Sequence, residues 1–191
     1  MRSYGELFEN NKKWVIEKIS EDPFYFDRLS KGQSPKYLYI GCSDSRLPIE
    51  IITKAEPGEI FVHRNIANLV KTKDQSLLAV LEFSLEVLKV NHIIVCGHYD
   101  CGGVKAVFYN QATGYVKDWL RPLYRIYRKY QHMLSELPTD RERYDRLSEL
   151  GVIESVKLLS KISMVNKAIQ EGRLKIHGWV IDIYNGYIKE L

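Results

Sequence analysis

The sequence predicts an α/β fold, a mainly parallel sheet covered by helices on both faces. Three observations carry that prediction. Short apolar, β-branched runs at 37–41, 59–63, 92–97 and 174–183 alternate with stretches of helical periodicity. Two of those runs end directly in blocks rich in Cys, His, Asp, Arg and Gly, as strands of a parallel sheet do where they carry a site. Near the end of the chain, Asn185-Gly186 signals a tight hairpin, so that Tyr187-Ile188 would return antiparallel at the sheet edge.

The elements follow in order. Tyr4, Leu7, Phe8, Trp14, Val15 and Ile19 recur at helical spacing and open the chain with an amphipathic helix. A polar stretch around Gly32 and Pro35 leads into the first strand. Pro48 suits the first turn of a short helix over 48–52, and Pro57-Gly58 turns the chain into the second strand. Asp74 is a plausible N-cap for a long apolar helix through Leu88. The third strand ends at the second block, and Gly102-Gly103 admits a helix over 104–109. Helices over 119–134 and 148–170 fill most of the second half, with Gly172 placed as a helix C-terminal glycine before the fourth strand.

Composition fits one folded domain over residues 1–191: 45% hydrophobic and 27% charged residues leave enough apolar side chains for a core. No run approaches the length of a membrane span, and residues 1–6 lack the apolar core of an export signal. A cytoplasmic, reducing location follows as the expectation, in which the three cysteines favour metal over disulfides. The formal net charge of +4 is too small to indicate nucleic acid. Basic and aromatic residues do interleave over 117–129. They read as an amphipathic helix with a solvated basic face, turning Trp119, Leu123, Ile126, Tyr127, Tyr130 and Leu134 inward.

The two blocks carry the chemistry. Gly41-Cys42-Ser43-Asp44-Ser45-Arg46 follows the first strand, and Gly97-His98-Tyr99-Asp100-Cys101-Gly102-Gly103 follows the third. They meet at one point if strands one and three are neighbours and strand two lies outside, the order 2-1-3-4. Two thiols and an imidazole, from Cys42, Cys101 and His98, suit zinc in softness and geometry. No fourth cysteine or histidine stands in a motif, which turns attention to Asp44. Either Asp44 binds the metal and shuts the site, or Arg46 holds it away and water takes the fourth position. In the second arrangement an ionised Asp44 would orient a zinc-bound hydroxide toward a small electrophile, with Arg46 keeping it ionised. Gly102 and Gly103 serve backbone geometry, or offer amides to an oxyanion.

These residues resemble the β-class carbonic anhydrases. The likeness runs through Cys42-Ser43-Asp44-Ser45-Arg46, then Glu56-Pro57-Gly58-Glu59-Ile60-Phe61-Val62-His63-Arg64-Asn65-Ile66-Ala67-Asn68, then Gly97-His98 with Cys101-Gly102-Gly103, and ends in His177-Gly178-Trp179. It implies one Zn²⁺ on Cys42, His98 and Cys101, an Asp44–Arg46 catalytic dyad, and reversible hydration of CO₂ to bicarbonate and a proton. It further implies Gln33 as a substrate-orienting amide, with Phe61, Ile66, Phe83 and Gly102 at the substrate pocket. Residues 1–30 would form a helical arm extending onto the partner of a homodimer, itself often paired into a tetramer. Phe83 replaces a tyrosine common in the family. Arg64 is retained from a regulatory bicarbonate site known in a bacterial subgroup, but Tyr39 and Ile181 stand at its other two positions, so that site is not expected in its usual form. Hydrolysis of CS₂ or COS on the same zinc, or a non-catalytic zinc-stabilised interaction module, are the competing readings.

Overall fold

The computed structural model describes residues 2–191. The chain divides into two compact units, one running to Ser34 and one from Pro35 to Leu191. The first holds α1 (Tyr4–Glu21) and α2 (Tyr25–Ser30). Ser3 caps α1 in a capping box with Glu6. Trp14 packs edge-on against Phe26, with ring centroids 5.5 Å apart. No residue of α1 is buried, and Tyr4, Leu7, Phe8 and Ile16 are exposed. The short α2 lacks periodicity long enough to be read from sequence.

The second unit is built on five strands: β1 (Tyr37–Cys42), β2 (Ile60–Asn65), β3 (His92–His98), β4 (Lys175–Ile181) and β5 (Ile188–Glu190). Their spatial order is β2-β1-β3-β4-β5. The first four are parallel and β5 is antiparallel to β4. The helices are α3 (Ile49–Thr53), α4 (Gln75–Glu82), α5 (Gly102–Phe108), α6 (Gly114–Trp119), α7 (Arg121–Ser135), α8 (Asp140–Leu159) and α9 (Ser163–Gln170).

One sheet face, with Leu38, Ile40, Ile93, Val95 and Val180, packs on Leu77 and Leu81 of α4, Val152 and Leu159 of α8 and Val165 of α9. The other, with Tyr39, Ile94, Cys96 and Ile181, is covered by Leu47, Ile49 and Ile52. A third apolar cluster joins α5, α7 and α8 around Leu123, Leu134 and Leu147, and includes Cys42 and Cys101. Trp119, Ile126, Tyr127 and Tyr130 pack on it, the inward face expected for the basic helix.

Several boundaries differ from the sequence expectation, each for a local reason. Asp74 does cap α4, accepting from Ser76 N at 3.0 Å, but the helix widens into a π-helical turn over Phe83–Val87. The helix expected over 148–170 is two helices, because the turn at 160–162 lets Leu159, Ile162 and Val165 all reach the same core. β2 runs two residues past the expected end, carrying Arg64 and Asn65 into the sheet. The fourth strand stops at Ile181, and 182–187 form the connection to β5 instead of a two-residue turn. Asp182 accounts for this, its carboxylate accepting from Tyr184 N at 2.9 Å and the Asn185 side chain at 2.8 Å.

Gly41 is fixed by a neighbour two residues back. The Tyr39 ring folds over it, so a Cβ there would stand 2.1 Å from Tyr39 Cε1. Tyr39 is only 1% exposed and has no free space to retreat into. Gly41→Ala is therefore expected to destabilise by about 1–3 kcal/mol, as overpacked cores do. At about 2–4 °C per kcal/mol for a domain of this size, a thermal melt reads this directly. An unchanged Tm would mean that the ring moves freely.

Candidate metal centre

Strand order brings the two blocks together. β1 and β3 are direct neighbours, with Gly41 opposite Cys96, so their carboxyl ends lie side by side. Cys42 is the last residue of β1 and His98 the last of β3. After His98, Tyr99 N donates to Ile181 O at 3.0 Å, and Asp100 takes a left-handed φ of +56°. That bend returns the chain to place Cys101 at the N-cap of α5, beside Cys42. The sulfurs of Cys42 and Cys101 are 3.9 Å apart, and both lie within 4.8 Å of a His98 ring nitrogen. All three residues are buried.

This donor set fits a thiophilic dication. Tetrahedral coordination with bonds of about 2.3 Å puts two sulfurs about 3.8 Å apart, close to the spacing seen. His98 Nδ1 lies 2.8 Å from Tyr99 O, and a carbonyl can only accept, so the neutral ring carries its proton there. Nε2 is left with a lone pair, buried and with no hydrogen-bond partner among the described residues. An orphaned buried nitrogen is costly unless something binds it. A hydrogen bond from Cys101 pulls the Cys42 thiol well below its ordinary pKa, against the opposing effect of burial. Giving that bond, together with burial, pushes Cys101 up. One proton shared between two sulfurs is what a metal ion would displace. Cys42, His98 and Cys101 could thus hold a metal ion.

Asp44 stands beside this group and is tied to Arg46. Arg46 Nε lies 2.9 Å from Asp44 Oδ1 and Nη2 lies 2.8 Å from Oδ2, a bidentate pair. Arg46 backbone N adds a third bond to Oδ1 at 3.0 Å. The guanidinium holds the Asp44 carboxyl far below the usual carboxylate range, and Arg46 is raised in return. Asp44 Oδ2 is 3.8 Å from His98 Nε2, so the carboxylate faces the donors while its hydrogen bonds go to Arg46. Arg46 also reaches Asp100 at 3.4 Å, and Asp100 is held by Lys105 at 2.5 Å.

The loop carrying Asp44 is clamped from β2. Arg64 Nε donates to Cys42 O at 2.7 Å and Nη2 to Asp44 O at 2.5 Å. Sequence reading saw Arg64 only as the remnant of a regulatory site; its signal was a cation at the end of an otherwise apolar strand. Arg64→Ala removes two charge-assisted bonds, each worth about 1.5–3 kcal/mol. The variant is expected to melt several degrees lower and to bind zinc more weakly in a chelator competition. Wild-type zinc affinity would show that the loop does not need the clamp.

Other anticipated residues are distributed differently. Gln33 is exposed, in the unit that ends at Ser34. Phe61 and Phe83 pack against each other at 5.8 Å, four residues back along β2 from the Asn65 that pairs with Cys42. Ile66 is half exposed and approaches Gly103, where a Cβ would lie 3.1 Å from Ile66 Cγ2. Gly102, in contrast, has open space around it. The tight glycine is Gly103. Glu149 of α8 also went unanticipated: it is buried and accepts from Tyr99 Oη at 2.6 Å and Lys189 Nζ at 2.7 Å, securing the residue next to His98.

The carbonic anhydrase family model matches residues 37–188 of this chain. The chain belongs to the β-carbonic anhydrase family. Among its relatives in the family, a carbonic anhydrase of Emericella nidulans is 44% identical over 191 residues, which is 100% of this chain and 84% of its own length. One from Saccharomyces cerevisiae is 35% identical, covering 96% of this chain and 86% of its own. A tetrameric β-carbonic anhydrase structure from Sordaria macrospora superposes with a TM-score of 0.96 at 38% identity, over 98% of this chain and 96% of that one. A β-carbonic anhydrase of Aspergillus fumigatus gives 0.94 at 39% identity, over 98% and 90% of the two chains.

Proposed function

We propose that this β-carbonic anhydrase interconverts CO₂ and bicarbonate with one zinc ion held by Cys42, His98 and Cys101. The observation that carries the reading is the pairing of three buried, convergent donors with a carboxylate that faces them but is bonded to Arg46. When bound, zinc acidifies water, so that a nucleophile is available near neutral pH.

The remaining work falls to side chains of this chain. Two thiolates offset the charge of the dication, and the Tyr99 carbonyl fixes His98 in the tautomer that presents Nε2. Arg46 keeps Asp44 ionised and fixes its plane through two parallel bonds. An ionised carboxylate only accepts, so Asp44 takes a hydrogen bond from the attacking oxygen and turns its lone pair toward the carbon of CO₂. One water and one CO₂ give bicarbonate and a proton, which leaves to buffer. Ile66 and the amide end of α5 at Gly102 lie on the approach to Cys101. Gln33, Phe61 and Phe83 are assigned to substrate contact in the assembled protein. The exposed apolar stripe of α1, with Tyr4, Leu7, Phe8 and Ile16, supports a homo-oligomer in which a second copy covers it.

Stopped-flow CO₂ hydration on protein of measured zinc content tests the proposal. Hydration in proportion to bound zinc is the expected result. No hydration above buffer, with CS₂ or COS turned over by the same preparation, would replace CO₂ as the substrate.

A further inference from the structure

The basic helical face that the catalytic reading leaves unused encloses a cavity. About 800 Å³ in volume, it opens between residues 69–73, α7 and the last turns of α8, and none of the three metal donors lines it. Its walls carry seven Lys and Arg side chains against two carboxylates, Asp118 and Glu154. Both carboxylates are already engaged. Asp118 takes Arg121 at 2.6 Å, and Glu154 takes Lys129 at 3.0 Å, Lys157 at 3.4 Å and the Tyr130 hydroxyl at 2.7 Å. Lys71, Lys73, Arg125 and Lys161 therefore converge on one concavity with no ion pair among the described residues. A second hollow continues it along α7, sharing Asp118, Arg121 and Arg125 and adding Lys117 and Arg128.

Like charges gathered in a concave, partly dry site focus a positive potential, and an anion relieves their repulsion. Lys71 shows the strain of the arrangement. Its ammonium sits 3.5 Å over the Trp119 ring, and burial together with the nearby Arg125 charge pushes its pKa down. The site is more than a charged surface, because Leu69, Val70, Ile126 and Leu158 supply an apolar wall beside the cations. Its volume falls in the range that encloses a small organic ligand rather than a duplex or a folded partner.

We propose that this cavity binds a small polyphosphate anion of nucleoside-triphosphate size, its phosphates on Lys71, Lys73, Arg125 and Lys161. The site is independent of the zinc chemistry. It also abuts it, because Trp119 Nε1 donates to Ile66 O at 2.8 Å while its ring carries Lys71.

Calorimetric titration of the full-length, zinc-loaded protein with tripolyphosphate and with ATP, at constant ionic strength, tests the site. Saturable binding of at least one is expected, while sulfate at the same ionic strength fails to compete. Tighter binding of ATP than of tripolyphosphate would place the base on the apolar wall. Equal affinity would make the phosphates the whole ligand. In K73A/R125A/K161A, affinity should fall by at least about tenfold, since each charge-assisted contact contributes 1.5 kcal/mol or more. Retained CO₂ hydration, or an unchanged melt, certifies the variant as folded. No binding at millimolar ligand, binding unaffected by the triple substitution, or displacement of both ligands by a single-stranded RNA oligomer that binds more tightly would each overturn the proposal.

Discussion

Asp44→Asn is expected to abolish most CO₂ hydration, by about 10²–10⁴-fold, the usual contribution of a positioned proton acceptor. The substitution keeps the shape and one oxygen for Arg46 but turns the other end into a donor, which cannot accept a hydrogen bond from the attacking oxygen. Zinc content should be unchanged, because Cys42, His98 and Cys101 remain. The pH behaviour separates this role from a simpler one. Arg46 depresses the Asp44 carboxyl in the folded protein, so the pair adds stability at any pH above the unfolded carboxyl value of about 3.9. That stability is lost only as pH falls toward the folded value. Asp44 is thus ionised across the neutral range, and any fall in wild-type rate between pH 8 and 6 belongs to another group. Zinc-loaded Asp44→Asn protein within a few-fold of wild-type turnover would remove Asp44 from the mechanism.

Cys101→Ser should be as damaging to activity, by a different route. A hydroxyl is a poor zinc ligand at neutral pH, and losing one of three donors should leave purified protein with much less than one zinc per chain and no measurable hydration. The fold should persist. The sheet core of Leu38, Ile40, Ile93, Val95 and Val180 is formed by residues that take no part in the metal group. Metal analysis, far-UV circular dichroism and a thermal melt together decide this. A variant that is unfolded at 25 °C would make the metal structural, whereas full zinc occupancy would show that Cys101 is not a ligand.

The site was the most legible part of the chain, because its residues are chemically rare and sit where strands end. Cys42, His98 and Cys101 could be placed together once β1 and β3 were taken as neighbours, and the structure has that order. Alternation and turn residues located the parallel strands for the same reason: each is an apolar run with clear punctuation. What sequence missed depends on tertiary contact. Ser160 to Ile162 contains neither Gly nor Pro, and the helix breaks there because both flanks pack into one core. The π-helical turn at Phe83–Val87 has no local signature. Arg64 and Glu149 act through backbone carbonyls and a tyrosine from distant elements, contacts that no spacing rule encodes.

The sulfurs of Cys42 and Cys101 are separated by 59 residues, and the strand that lies between their blocks in sequence sits at the outer edge of the sheet. No short stretch of chain can therefore assemble all three donors. His98 and Cys101 can meet in a local turn, but Cys42 joins them only after β1 has skipped β2 and paired with β3. Long-range pairing of this kind is slow and is completed late in folding. Full-affinity capture of the ion is thus a record that the central sheet has closed correctly, and its release is limited by the opening of that sheet. Newly made chains would sequester the metal only once they are already competent to use it.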